Sequence, residues 1–298
     1  MNKQSYSMNK QVKISAAIAT YNEEKNINDC LSSIKDIVGE IVIVDGTSSD
    51  KTAEIAESFG ARVYQIPNDP MFHTMKQKSF DLSIGEWILY MDADERVSSK
   101  LAEEIVEVTS MKSEEIKMHQ ESIKKKDLFL RHQRLLEKRD GLIGGEDEDY
   151  VAFFFPRLNY FLGRYLKWGG VYPDGVIRLF KKGKAYLPCK DVHEQMVVNG
   201  RVGWLQHDLL HKDSPTLERY LKKNSRYIDL LVKELREDKV KKTSVQFINY
   251  FFIKPVWWFF LTQVRHKGIL DGWQGVVFSF FSALRFARAY YRYIIGKI

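Results

Sequence analysis

Asp92-Ala93-Asp94-Glu95 directly follows the apolar run Trp87–Met91. Two carboxylates one residue apart at the end of a strand can hold a hard divalent cation and also reach a second group of the same ligand. Mg²⁺ and Mn²⁺ favour such oxygen donors, commonly one or two carboxylates completed by phosphate oxygens. A D-x-D triplet by itself also occurs as a helix cap, so its meaning depends on the elements around it. Two further polar clusters end apolar runs in the same way. Thr20-Tyr21-Asn22-Glu23 closes Lys13–Ala19, and Asp45-Gly46 closes the β-branched run Glu40–Val44.

These runs alternate with helical patterns. Asn26–Ile37 repeats apolar residues at helical spacing, Ser49-Asp50 starts a helix that runs to Phe59 with Gly60 just beyond, and Met75–Ser83 is a third helix. Arg62–Gln65 is a further strand. The alternation predicts βαβ units and an α/β domain built on a mostly parallel sheet. Ligands of such sheets bind beyond the carboxyl ends of the strands, where all three polar clusters fall. Residues 98–140 read as helix without a Gly or Pro break, and Lys112–Arg139 is densely charged. A mixed-sign run of this kind is expected to be a solvated helical excursion. After the loop Gly141–Asp149, the short segments VAFFF, VIRLF, AYL, HEQMVV and LLH suggest a smaller mixed sheet, and Thr216–Arg236 a long amphipathic helix.

Composition narrows the function classes. With 44% hydrophobic and 29% charged residues, wholesale disorder is excluded. Two cysteines, Cys30 and Cys189, cannot make a disulfide framework and point to a reducing compartment. The opening MNKQSYSMNKQVKIS has no apolar signal-peptide core, so a cytoplasmic location is expected. The net charge of +7 sits almost wholly in residues 243–298, where seven basic residues face the single acid Asp271 among 16 of the 39 aromatics. The remainder is close to neutral, which argues against a nucleic-acid surface. Basic charge interleaved with Trp, Phe and Tyr points to anionic lipid. The uncharged runs 255–264 and 272–284 fall short of the roughly 20 residues that span a bilayer, so they are expected to lie in the interface. Burial as two core helices is the alternative.

The motifs, taken in order, resemble glycosyltransferase family 2. They are Ile18–Glu23 (IATYNE), Ile43–Thr52 (IVDGTSSDKT), Gly85–Glu95 (GEWILYMDADE), Trp168–Phe180 (WGGVYPDGVIRLF), Val192-His193-Glu194 and Leu209–His211. Tail segments such as KPVWWFF and GILDGWQGV are similar to a membrane-associated branch of lipopolysaccharide-core glucosyltransferases. The resemblance implies a GT-A fold, Rossmann-like, over residues 1–237 with a helical insertion at about 110–150, and a membrane-association tail over 238–298. It implies that Thr20, Tyr21, Glu23 and Asp45 hold the nucleotide base and Asp92 the ribose. Asp94, with His211, would hold Mn²⁺ or Mg²⁺ on the diphosphate, Lys78 would face that diphosphate, and Trp168 with Gly169 and Gly170 would approach the sugars. Glu194 takes the position of the catalytic base, with Asp191 and Asp174 as weaker substitutes and His193 and His207 as lesser candidates beside His211.

The implied reaction is an inverting, metal-dependent transfer of a hexose, glucose from a UDP-sugar being the expected case, to a lipopolysaccharide-core or lipid-linked glycan. It would take place at the inner face of the cell membrane. A sugar nucleotidyltransferase would need a glycine-rich loop after the first strand, and ATYNEE has no glycine. A non-catalytic nucleotide-sugar-binding protein is disfavoured by the joint presence of Asp92, Asp94 and Glu194.

Overall fold

A computed structural model describes residues 12–145, 149–189 and 195–296. The chain divides into two compact units, residues 1–156 with 175–209, and residues 157–174 with 210–298.

In the first unit, strands β1 (Ile14–Thr20), β2 (Glu40–Asp45), β3 (Arg62–Gln65) and β4 (Trp87–Met91) form a parallel sheet in the order β3-β2-β1-β4. Helices α1 (Ile27–Ile34), α2 (Thr52–Ser58) and α3 (Phe72–Leu82) connect them. β1 and β4 are buried along their whole length, as continuous apolar runs covered on both faces must be. Register places Thr20 opposite Asp45 and Ile18 opposite Met91, so the three polar clusters leave the sheet at one edge. After the short strand β5 (Glu95–Val97) come three helices, α4 (Ser99–Ser110), α5 (Ser113–Ser122) and α6 (Lys126–Asp140). Strands β6 (Tyr150–Phe161), β7 (Arg164–Leu166) and β8 (Asp174–Lys181) follow, with β8 pairing antiparallel to β4. β9 (Ala185–Tyr186) and β10 (Val197–Val198) make a separate two-stranded sheet. β11 (Arg201–Trp204) runs parallel to the start of β6, and β12 (Leu209–Ser214) follows.

The charged stretch 112–139 is not the purely solvated excursion that its composition suggests. Phe129 is buried and stacks on Trp204, with ring centroids 4.7 Å apart. Gln120 is buried and binds the Trp204 backbone twice, its Nε2 donating to the carbonyl and its Oε1 accepting from the N–H, both at 2.8 Å. Buried Glu104 on α4 accepts from the N–H groups of Gln206 and His207. Gly175 belongs to the same packing, since a Cβ there would lie 2.3 Å from the Trp204 ring.

In the second unit, β7 pairs with the end of β6. α7 (Leu217–Glu237) packs on α10 (Gly272–Ile295) through Ile228, Val232, Leu235, Ala289 and Tyr290. Arg292 reaches Asp229 and Ser225 across this seam. That packing joins α7 to the tail. Between these helices, α8 (Ser244–Ile248) and α9 (Lys254–Phe260) are each followed by a π-helical turn, Asn249–Ile253 and Leu261–Arg265. Among the described residues no helix is long and apolar enough to cross a membrane.

The tail is amphipathic in the inverted sense. Its inner face is small or polar: Thr262, Gln263, Gly268, Gly275, Ser279, Ser282 and Ala283 are buried. Gln263 Nε2 donates to the Gly275 carbonyl at 3.0 Å and to Ser279 Oγ at 2.6 Å, and Trp258 Nε1 donates to Ser282 Oγ at 3.0 Å. Gly275 has no room for a side chain, because a Cβ would lie 2.0 Å from the Gly268 carbonyl oxygen. The large apolar residues face outward, including Phe252, Val256, Trp257, Phe260, Val264, Ile269 and Trp273, each more than half exposed. Burial of both helices as core is therefore not what this chain does.

Candidate active site

The loop after β1 and the loop after β2 are laced together by side chains. Thr20 Oγ1 donates to Asp45 Oδ1 at 2.9 Å, Ser48 Oγ to the same oxygen at 2.6 Å, and the Ser48 N–H to Asp45 Oδ2 at 2.8 Å. The Asn22 N–H donates to Ser48 Oγ, the Ser49 N–H to Asn22 Oδ1, and the Glu23 N–H to Thr52 Oγ1, each at 2.8 Å. Asn22 and Thr47 both take positive φ, 55° and 56°, and these turns bring the loops side by side. Thr20 and Asp45, expected at the base, are fully buried and act within this lacing. Tyr21 is exposed, and Glu23 Oε2 accepts from Asn26 Nδ2 at 2.7 Å.

At the end of β4, Asp92 meets two cations. Lys76 Nζ lies 2.7 Å from Oδ1 and Arg178 Nη2 2.6 Å from Oδ2. Arg178 also binds fully buried Glu95, its Nε at 2.9 Å from Oε2 and its Nη2 at 2.8 Å from Oε1. Glu95 Oε2 in turn accepts the Asp92 N–H at 3.0 Å, which fixes the turn of the D-A-D triplet. The Tyr90 ring lies under Arg178 at 4.3 Å and near Lys76 at 5.0 Å. Burial opposes the charged form of Lys76, but Asp92 and Tyr90 outweigh it and raise the ammonium pKa. The Arg178 guanidinium is likewise held charged against burial by Asp92 and Glu95. Asp94, one residue from this neutralised pair, is partly exposed.

In the second unit, His211 is buried and its Nδ1 lies 2.6 Å from Asn159 Oδ1. Nδ1 is the donor there, because Asn159 is oriented by its Nδ2 donating to Asp174 Oδ2 at 2.9 Å. Its Nε2 lies 4.0 Å from Asp213 Oδ1. Arg157 binds Asp174 through Nε at 2.9 Å and Nη2 at 2.6 Å. Burial would raise the Asp174 pKa, but Arg157 and Asn159 lower it to about 2, which removes this residue as a proton acceptor near neutrality. Trp168 is exposed, its N–H donates to Asp271 Oδ2 at 2.8 Å, and Lys267 lies 5.6 Å from its ring.

Residues 15–182, more than half of the chain, match the model of Glycosyl transferase family 2. The chain belongs to glycosyltransferase family 2. Uncharacterized glycosyltransferases of Rickettsia felis and Rickettsia bellii are each 27% identical to it over 291 residues, covering 93% of this chain and 89% and 85% of theirs. The SunS glycosyltransferase of Bacillus subtilis is 32% identical over 99 residues, 32% of this chain and 23% of that protein. A solved structure, glucosyl-3-phosphoglycerate synthase from Mycobacterium tuberculosis with Mn²⁺ and UDP-glucose, aligns over 28% of this chain and 34% of its own. Identity there is 26% and the TM-score 0.26, an overlap too small to carry a conclusion.

Lys78 is exposed, and the lysine on Asp92 is Lys76. The signal was the i, i+4 spacing Phe72–Lys76–Phe80, which puts Lys76 on the inward stripe of α3 and Lys78 most of a half-turn away. Arg178 sits inside VIRLF, and a charge within a buried strand must have a partner, here Asp92 and Glu95. His207 Nδ1 lies 2.8 Å from Glu104 Oε2, so it is held by a structural carboxylate. Glu194, His193 and Asp191 lie outside the described residues. Among the described residues no cluster of three His, Cys, Asp or Glu side chains could hold a metal alone. The donor set fits a weaker mode, in which Asp94 supplies one carboxylate and the substrate's phosphates the rest. Asp92 suits it less, with both oxygens already on cations.

Proposed function

We propose that this enzyme transfers a hexose, with inversion, from a nucleotide-sugar donor to a lipid-linked or lipopolysaccharide-core glycan at an anionic membrane surface. The observation that carries the reading is the D-A-D turn at the end of β4, where Lys76 and Arg178 pair with Asp92 and where Asp92 and Asp94 are both partly exposed. Family membership sets aside the nucleotidyltransferase and non-catalytic readings. In the reaction the acceptor hydroxyl oxygen attacks the anomeric carbon from the face opposite the diphosphate. The bond to the diphosphate oxygen breaks with its electron pair, and the hydroxyl proton passes to a carboxylate, here assigned to Glu194. A divalent metal on Asp94 would supply charge stabilisation for the leaving diphosphate. The laced loops bearing Tyr21 and Glu23 would seat the base, with Thr20 and Asp45 holding the loop shape, and Trp168 would stack on a sugar face.

Asp94→Ala is the test of the donor site. Transfer is expected to fall roughly 10²-fold, the equivalent of about 3 kcal/mol of charge stabilisation, with the Mn²⁺ dependence of UDP-sugar binding lost. Normal turnover in Mn²⁺ would remove the metal assignment.

The acceptor half rests on the tail. Small polar residues inside and large apolar residues outside are the packing expected where lipid replaces water. Four of its basic side chains are already engaged, with Lys254, Lys267 and Arg285 over aromatic rings and Arg292 on Asp229. Binding to anionic liposomes should therefore weaken only modestly with salt, since the aromatic contribution is not screened. Flotation with neutral and anionic liposomes checks this, and no flotation with either would overturn the membrane reading.

A further inference from the structure

The second unit encloses a cavity of about 280 Å³ that the reaction described above leaves unused. Its wall combines aromatic surface from Tyr160, Tyr220 and Phe278 with three cationic side chains, Arg157, Lys223 and Arg285. Two of those cations are already balanced, Arg157 by Asp174 and Lys223 by Asp213, and both carboxylates line the same cavity. Arg285 is not balanced. No carboxylate among the described residues lies within ion-pair distance of it, and its buried Nε has no acceptor. Its guanidinium carbon lies 4.4 Å from the Trp258 ring centre and 5.0 Å from that of Phe286, cation–π contacts that supply no counter-charge. Trp258 is itself tied to Ser282, another lining residue. Burial disfavours the charged guanidinium and lowers its pKa, the cost of leaving a desolvated cation without a counter-ion.

A desolvated cation in an aromatic cavity is a site built for an anion with a ring or chain attached. We infer that this cavity binds the phosphate group of a phosphorylated sugar or lipid, with Arg285 as its ligand. The lining holds one more cationic than anionic side chain, the sign that attracts a phosphate. Guanidinium geometry suits the paired oxygens of a phosphate better than a single polar atom. The volume lies at the small end of ligand pockets, about 300 Å³, so it accommodates one sugar phosphate or one lipid head group and not an extended glycan. The inference rests on the proposed function only in identifying that phosphate as part of the acceptor.

The test is binding, measured by calorimetry on the full chain without donor, with glucose 6-phosphate against glucose and with phosphatidylcholine vesicles with and without phosphatidic acid. Glucose 6-phosphate is expected to bind where glucose does not, with Arg285→Gln weakening it about tenfold or more and Arg285→Lys recovering part of the loss. If the phosphate comes from lipid instead, the Arg285-dependent gain appears with phosphatidic acid vesicles and not with the soluble sugar. The comparison of phosphate with uncharged sugar on the wild-type chain needs no variant, so it stands even if Arg285→Gln does not fold. Equal binding of glucose and glucose 6-phosphate together with no Arg285-dependent preference for phosphatidic acid would overturn the inference. Because no donor is present, that result would leave the transfer reaction itself to the Asp94→Ala measurement.

Discussion

Arg178→Gln is expected to lower the free energy of unfolding by about 3–5 kcal/mol, the range for breaking a buried ion pair from one side. Arg178 is almost wholly buried and makes three close contacts with two carboxylates, to Asp92 Oδ2 and to both oxygens of Glu95. Removing the guanidinium takes from Glu95, which has no solvent exposure, both of its contacts with Arg178. Asp92 keeps Lys76 and is partly exposed, so most of the loss belongs to Glu95. The double variant Arg178→Gln with Glu95→Gln removes the buried carboxylate charge together with its cation and is expected to recover much of the deficit, the non-additivity expected of residues in contact. Urea unfolding near pH 7, read as a shift in midpoint at constant slope, measures both. A single-variant loss below about 1 kcal/mol would mean that the pair contributes little and that the D-A-D turn is held by its backbone.

The same residues show why part of this molecule was legible in its sequence. β4 falls on the apolar run Trp87–Met91, because a strand buried on both faces has no other way to be written, whereas β3 (Arg62–Gln65) is exposed at both of its ends. The three polar clusters at the strand ends follow from parallel topology, which places every such end on one edge. What the sequence concealed depends on tertiary partners. The stretch 98–140 has no Gly or Pro, yet it breaks at Met111-Lys112 and at Ile123–Lys125 so that Glu104, Gln120 and Phe129 each reach the segment Trp204–His207. The one local signal was the acid pair Glu114-Glu115 in the first turn of α5, with Glu115 accepting the Lys112 N–H at 2.7 Å. Lys76 and Lys78 differ only in helical phase, and phase is set by what packs beneath. The tail's composition said that it was aromatic and basic. Which side of it would face outward was decided by Gln263, Ser279 and Ser282 pairing inward, and polar residues in an apolar run ordinarily suggest the opposite orientation.

Glu194→Gln is expected to lower transfer by roughly 10²–10⁴-fold while leaving nucleotide affinity unchanged, the range for loss of a general base. Glu194 lies outside the described residues, and its assignment comes from the Val192-His193-Glu194 motif and from the chemistry. Attack by a hydroxyl needs a carboxylate that is ionised near neutrality and not already committed to a cation. The described acids nearest to the motifs are committed: Asp45 to Thr20 and Ser48, Asp92 to Lys76 and Arg178, Glu95 to Arg178, and Asp174 to Arg157. Asp174 is held down to about 2, so it remains ionised but is a poor proton acceptor at any pH where the enzyme would work. Glutamine preserves the size and hydrogen-bonding capacity of Glu194 and removes only its basicity. A base acting in the chemical step should therefore lower kcat and leave the donor KM in place, and the acidic limb of the kcat profile should disappear. Asp191→Asn, three positions earlier in the chain, is expected to retain most activity and serves as the control. Equal loss of donor binding and transfer in Glu194→Gln would make this residue a donor contact, and a larger loss in Asp191→Asn would move the base to Asp191.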